Sequence, residues 1–153
     1  MKDIECPEIY TGDGKEKSLF IAGGISGCKV WQDELVDMLK NEDITLLNPR
    51  RKFFKVDDLE VEKEQIKWEY EHLRKADGIS FWFPNETVCP ITLYELGAWA
   101  ITDKPLFVGV DSGYLRKRDV EIQLKLVRPD IEIVYDLPSL FNQIKEWIKN
   151  NKV

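Results

Sequence analysis

Leu19-Phe20-Ile21-Ala22-Gly23-Gly24 is a run of four apolar residues with no polar alternation, stopped by two glycines. A strand with one wet face alternates apolar and polar residues. A continuous apolar run of this length is what a strand buried on both faces requires, and such strands belong to parallel sheets covered by helices. A helical pattern follows from about Val30 to Lys40. Trp31, Leu35, Met38 and Leu39 recur at helical spacing, while Gln32, Asp33, Asp37 and Lys40 take the wet side.

The same alternation continues outward. Ile44 to Leu47 reads as a second strand ended by Asn48-Pro49, and Arg50 to Asp58 as a loop. Leu59 to Lys75 is the longest helical pattern, Gly78 to Phe83 a third strand, and Pro84 to Pro90 a turn-rich loop. A helix over Ile91 to Thr102, a strand over Pro105 to Val110 and a loop over Ser112 to Asp119 come next. Val120 to Val127 reads as a short helix, Ile131 to Tyr135 as a fifth strand and Pro138 to Lys149 as a closing amphipathic helix. Upstream, residues 1–17 are polar with a turn cluster at Thr11-Gly12-Asp13-Gly14, and read as a loosely tied arm ahead of one domain over residues 18–153. Strictly alternating strands and helices predict an α/β fold: a flavodoxin-like three-layer sandwich around a five-stranded parallel sheet of order 2-1-3-4-5.

Composition narrows the partners. The 153 residues are 43% hydrophobic and 33% charged, the balance of a single folded domain. A net charge of −6 makes a poor binder of polymeric nucleic acid, which needs clustered Lys and Arg. No apolar run approaches the roughly 20 residues that span a bilayer, and the acidic first residues do not read as a secretory signal. Cys6, Cys28 and Cys89 are odd in number and widely spaced. They suit a reducing cytoplasm better than a disulfide framework or zinc site. With a single histidine, His72, read as a partly exposed helix residue, acid-base chemistry falls to carboxylates, with no metal or cofactor required.

In an open parallel sheet, ligands bind outside the carboxyl ends of the strands, at the switch point. The loop Gly23-Gly24-Ile25-Ser26-Gly27-Cys28-Lys29 lacks the spacing of a phosphate-binding P-loop or a dinucleotide GxGxxG. It reads either as a tight turn or as a cradle for sugar or phosphate. After the third strand comes Cys89-Pro90-Ile91-Thr92-Leu93-Tyr94-Glu95-Leu96-Gly97. Thr92-x-x-Glu95 fits a helix capping box, with Glu95 bonded back to the main chain. Alternatively Glu95 stands in the first turn of a helix opening at the crevice, held ionised by the helix dipole and able to act as a nucleophile at a sugar carbon. Glu69, on the edge of the apolar stripe of the long helix, is either a solvated glutamate or a second acid. Arg50 and Arg51 either meet an anion or form a solvated pair, and Trp82 and Phe83 read as core.

Three segments carry a family resemblance: Leu19 to Ile25, Trp68-Glu69-Tyr70-Glu71-His72-Leu73-Arg74-Lys75-Ala76-Asp77, and Tyr94-Glu95-Leu96-Gly97-Ala98. Together with Leu47-Asn48-Pro49-Arg50-Arg51, the chain resembles the nucleoside 2-deoxyribosyltransferase-like superfamily, which includes 2'-deoxynucleoside 5'-phosphate N-hydrolases. The resemblance implies a small-molecule enzyme for N-glycosyl transfer or hydrolysis on a nucleoside or nucleotide. It implies Glu95 as nucleophile and Glu69 in place of an acid, usually Asp, that holds the sugar hydroxyls. Cys89 falls where relatives place Asp or Ser against base or phosphate. Gly23, Gly24, Ser26, Asn48, Cys89 and Tyr94 form the expected substrate-binding set. Phe20 replaces a Tyr of the transferases, and Lys29 is the only cation in a loop that is Arg-rich in the hydrolases. The resemblance also implies a homo-oligomer with shared active sites, in which residues 112–119, with Arg116, Lys117 and Arg118, reach a neighbouring pocket. An NAD-type glycohydrolase and a non-catalytic nucleotide-binding module are the alternative readings.

Overall fold

Strand β2 (Lys17–Gly23) runs through a six-stranded, wholly parallel sheet in a computed structural model that describes residues 1–12, 15–53, 55 and 57–150. On one side it pairs with β3 (Ile44–Asn48), which pairs in turn with β1 (Lys2–Glu5). On the other side lie β4 (Gly78–Phe83), β5 (Leu106–Val110) and β6 (Ile133–Val134). The order β1-β3-β2-β4-β5-β6 contains the expected flavodoxin-like arrangement, with one further strand at its edge. Asp13 and Gly14 of the expected turn cluster, and Phe54 and Val56 of the expected loop, lie outside the described residues.

The absence of polar alternation in β2 has a simple cause. Successive strand residues point to opposite faces, and both faces are covered. Phe20 joins Leu47, Ile79, Phe81 and Phe83 beneath α2 (Leu59–Lys75), α3 (Pro90–Ala100) and α4 (Lys117–Val127), through Trp68, Leu96 and Val120. Leu19 and Ile21 join Leu46 and Trp82 beneath α1 (Trp31–Leu39) and α5 (Leu137–Asn150), through Leu35 and Ile144. Trp82 and Phe83 are therefore core, as read. Asp77 ties the start of β4 to β2 by accepting from Ser18 N and Oγ, each at 2.8 Å.

The structure departs from the expected arm. Lys2–Glu5 adds a parallel edge strand to β3, and Cys6 N continues the ladder to Asn48 O. Its charged sequence hid it, yet charges on an edge strand are a normal guard against further pairing. The following residues are also tied down. Trp68 Nε1 donates to Glu8 O, and Tyr10 N donates to His72 Nε2. His72 is thus fully buried rather than partly exposed, stacked on Trp68 at 3.9 Å, with Nδ1 on Trp68 O. Burial holds it below its usual pKa, and with Nε2 as acceptor it is the neutral tautomer. Among the described residues, no helix is long and apolar enough to cross a membrane.

Candidate active site

The chain leaves β2, builds α1 and β3 on one side, then crosses back to β4. The loops after β2 and β4 therefore meet at the carboxyl ends of neighbouring strands. They meet closely. A methyl group on Gly24 would lie 2.8 Å from Pro84 Cγ, 3.0 Å from Cys89 Sγ and 3.1 Å from Cys28 Sγ. The first loop is braced from below by Trp31 Nε1 and Gln32 Nε2, which donate to Gly24 O at 2.8 and 3.1 Å. Arg50 extends the brace, donating to Lys29 O, Cys28 O and Gln32 Oε1. Tyr114 pins the second loop by donating to Val88 O at 2.6 Å. Arg50 and Arg51 are both engaged in protein contacts, so neither forms the solvated pair considered from sequence.

Helix α3 begins at Pro90, whose fixed φ suits the first helical position. Its N-cap is Cys89, in the left-handed region with φ 51°, and no side chain caps the helix. The capping box is therefore not formed. Thr92 is already inside the helix, and Glu95 lies in the second turn instead of the first. The dipole expectation fails with it, because the dipole effect falls off within the first turn. Glu95 is only 8% exposed and accepts no hydrogen bond from any described residue. Burial, and then the charge of Glu69, push its carboxyl up to about 8.

Glu69 comes from α2 and is better supported. Its Oε1 accepts from Gln65 Nε2 at 2.7 Å. Burial raises its pKa, while the Gln65 hydrogen bond and the Arg51 charge pull it back. The charge of Glu69 adds to burial in holding the proton on Glu95.

The structure gathers Gly23, Gly24 and Cys89 around the loop junction, and couples Glu69 to Glu95. Cys89 is buried, and its thiol is pushed up to about 12 by burial, then by Cys28 and Glu86, so it is an inert neutral group. Ser26 is exposed, with no partner among the described residues. Asn48 is buried, with Oδ1 accepting from Arg50 N. Tyr94 does not join the group: it is 75% exposed on the outer side of α3. Gln32, read on the wet side of its helix, is instead fully buried beneath Gly24 O, and sequence reasoning missed Gln65 and Tyr114, which brace the site. A Gln four residues before Glu69 on one helix was the available signal for Gln65.

Two cavities lie away from the carboxylates. One of about 680 Å³ opens near the amino ends of the strands, beside Lys17, Asp77 and Trp147, and one of about 260 Å³ lies between α3 and α4. The carboxyls raised by burial, Glu69 and Glu95, mark the candidate site better than cavity size does. Among the described residues, no three His, Cys, Asp or Glu side chains converge as metal ligands would. A family model described as nucleoside 2-deoxyribosyltransferase like matches residues 16–114, a span that contains both glutamates and both switch-point loops. No curated protein matches the chain.

Proposed function

We propose, on the premise that this chain belongs to the nucleoside 2-deoxyribosyltransferase-like family, that it cleaves the N-glycosidic bond of a nucleoside or nucleotide through a glycosyl ester on Glu95. One observation carries the reading. Glu95 is a nearly buried carboxyl that no main-chain or side-chain donor occupies among the described residues. A carboxyl so placed, nearly withdrawn from solvent and engaged by no donor, is open to a ligand group.

The chemistry follows from the pair. Glu95 attacks C1' as the C1'–N bond breaks, and the bonding electrons leave with the base. Glu95 gives its proton to the departing base, so the carboxylate that bonds to C1' is the ionised one. Positive charge developing on the sugar ring favours that ionised form. Glu69 accepts from a sugar hydroxyl and aligns C1'. Alignment of this kind supplies several kcal/mol of a barrier. A second base, or water, then cleaves the ester, giving transfer or hydrolysis. Gly23, Gly24 and Ser26 offer donors to sugar or phosphate, while Asn48 and Cys89 line the substrate side. The scheme uses no metal or redox cofactor, and the three unpaired cysteines suit a reducing cytoplasm.

Oligomerisation belongs to the same reading. Helices α3 and α4 and their flanks expose Ile91, Tyr94, Ile101, Leu115, Ile122 and Leu126. A second chain packed there would bring residues 112–119 and Tyr94 toward a neighbouring site, and sedimentation would report the assembly.

The test is intact-mass analysis after incubation with 2'-fluoro-2'-deoxynucleosides and their 5'-monophosphates. The expected result is one glycosyl adduct, mapped to the peptide containing Glu95. A parallel panel of nucleosides, monophosphates and NAD, scored for free base with and without an acceptor base, assigns the substrate class. Release of nicotinamide alone would move the reading to a glycohydrolase of larger nucleotides. Tight binding with neither adduct nor turnover would overturn it in favour of a binding module.

A further inference from the structure

The side-chain amide of Gln65 has every hydrogen-bonding position filled. Nε2 donates to Glu69 Oε1 and to Pro49 O, both at 2.7 Å. Oε1 accepts from Arg51 Nε at 2.7 Å and from Cys6 Sγ at 3.2 Å. Two donors and two acceptor lone pairs are all that a glutamine possesses. The orientation is also decided. Turning the amide over would set its oxygen against the Pro49 carbonyl and a carboxylate, and its nitrogen against a guanidinium. Three separate parts of the fold thus converge on one amide: the end of β1, the β3–α2 loop and α2 itself.

We propose that Gln65 is a positioning residue for Glu69: it clamps Oε1 and so presents Oε2 to the sugar hydroxyl. The sugar rests on the glycosyl-transfer reading above, whereas the clamp rests on geometry. Glu69 Oε2 accepts nothing from the described residues. Without the clamp, a glutamate on a helix explores several rotamers, and each misplaces the remaining oxygen. The clamp also explains why the amino-terminal segment is folded onto the protein. Cys6 is buried with its thiol on Gln65, so β1 helps to fix an oxygen that it never touches.

The experiment compares wild type with Gln65→Met, which keeps length and loses all four bonds. The charged and titratable groups around Glu69 are Arg51 from the loop, Cys6 from the end of β1 and Glu95 from α3. In ¹³C carboxyl NMR, removing the donor should raise the Glu69 titration midpoint by about one pH unit. An unchanged midpoint overturns the clamp. With the substrate found by the panel, Gln65→Met should lower kcat/KM on the order of tenfold. In a Glu69→Ala background the same change should cost less than about twofold, because the residue through which it acts is gone. Equal losses in both backgrounds would mean general structural damage and overturn the proposal. If Gln65→Met does not fold, wild type still decides. The Gln65 side-chain amide resonance must shift with the Glu69 midpoint, and an amide insensitive to that titration sinks the clamp. The NMR arms need no turnover, so failure of the glycosyl reading and failure of the clamp are separable.

Discussion

Helices α2 and α3 pack on the same face of the sheet, and each carries one of the two coupled glutamates, but they are built in opposite ways. Helix α2 follows local rules. Asp58 caps it by accepting from Glu60 N and Val61 N, acids occupy its first turn, and Arg74 and Lys75 its last. Its Glu69 has a donor. Helix α3 has no side-chain cap, no acid in its first turn and no base in its last, and its N-cap residue is in the left-handed region. Its one charged residue, Glu95, is buried without a partner among the described residues. Where local choices agree with the fold, the helix needs no further explanation. Where they conflict, the conflict falls on Glu95, the residue proposed as nucleophile.

The contrast predicts unequal losses. Glu95→Gln should lower base release by at least about a thousandfold, because it removes the bond-forming atom. Glu69→Gln should cost roughly ten- to a hundredfold, with much of the loss in KM, because it weakens alignment of a sugar that still binds. Steady-state kinetics on the same substrate checks both. Equal losses would erase the division of labour between the two helices.

The pH dependence of stability separates them next. Between the ordinary carboxyl value of 4.5 and about 8, folded Glu95 keeps a proton that the unfolded chain has released. Folding therefore binds protons in this window, and stability falls as pH rises through it. Glu69 is raised in the same direction but is opposed by Gln65 and Arg51. Glu95→Gln removes the larger penalty. Its Tm advantage over wild type should widen by at least about 4 °C from pH 5 to pH 8. A constant difference would mean that Glu95 ionises as freely as an exposed acid.

The same division governs what could be read in advance. The apolar run at residues 19–22 and the amphipathic stripe of α2 are local signals, so both elements were legible, and α2 and β4 end where the pattern ends. Edge strand β1 was not, because it is held by main-chain pairing that leaves no pattern in Lys2-Asp3-Ile4-Glu5. Glu95 and Glu69 were legible as candidates. That Glu95 lies one turn deeper was hidden because the helix starts on a left-handed cysteine, which no capping rule favours. The outward turn of Tyr94 and the convergence on Gln65 depend on contacts between elements, which spacing alone does not encode.

Glycines probe the contrast on a smaller scale. Gly24→Ala places a methyl group against Pro84, Cys89 and Cys28 where the two loops meet. Overpacking of this kind costs about 1–3 kcal/mol. Thermal melting should show a Tm lower by roughly 5 °C. An unchanged Tm would mean that the junction is looser than its contacts.

Gly97 offers the smallest effect and the opposite sign. It lies inside α3, where a Cβ would meet nothing within 4 Å. Glycine within a helix is less favourable than alanine by about 1 kcal/mol, so Gly97→Ala should raise Tm by roughly 3 °C. That gain assumes an open flank. If a second chain packs against α3 beside Ile91, Tyr94 and Ile101, the added methyl group enters an interface instead. Tm would then fall and the sedimenting mass would drop with it. The sign of one methyl group thus reports whether the apolar outer side of α3 is covered in solution.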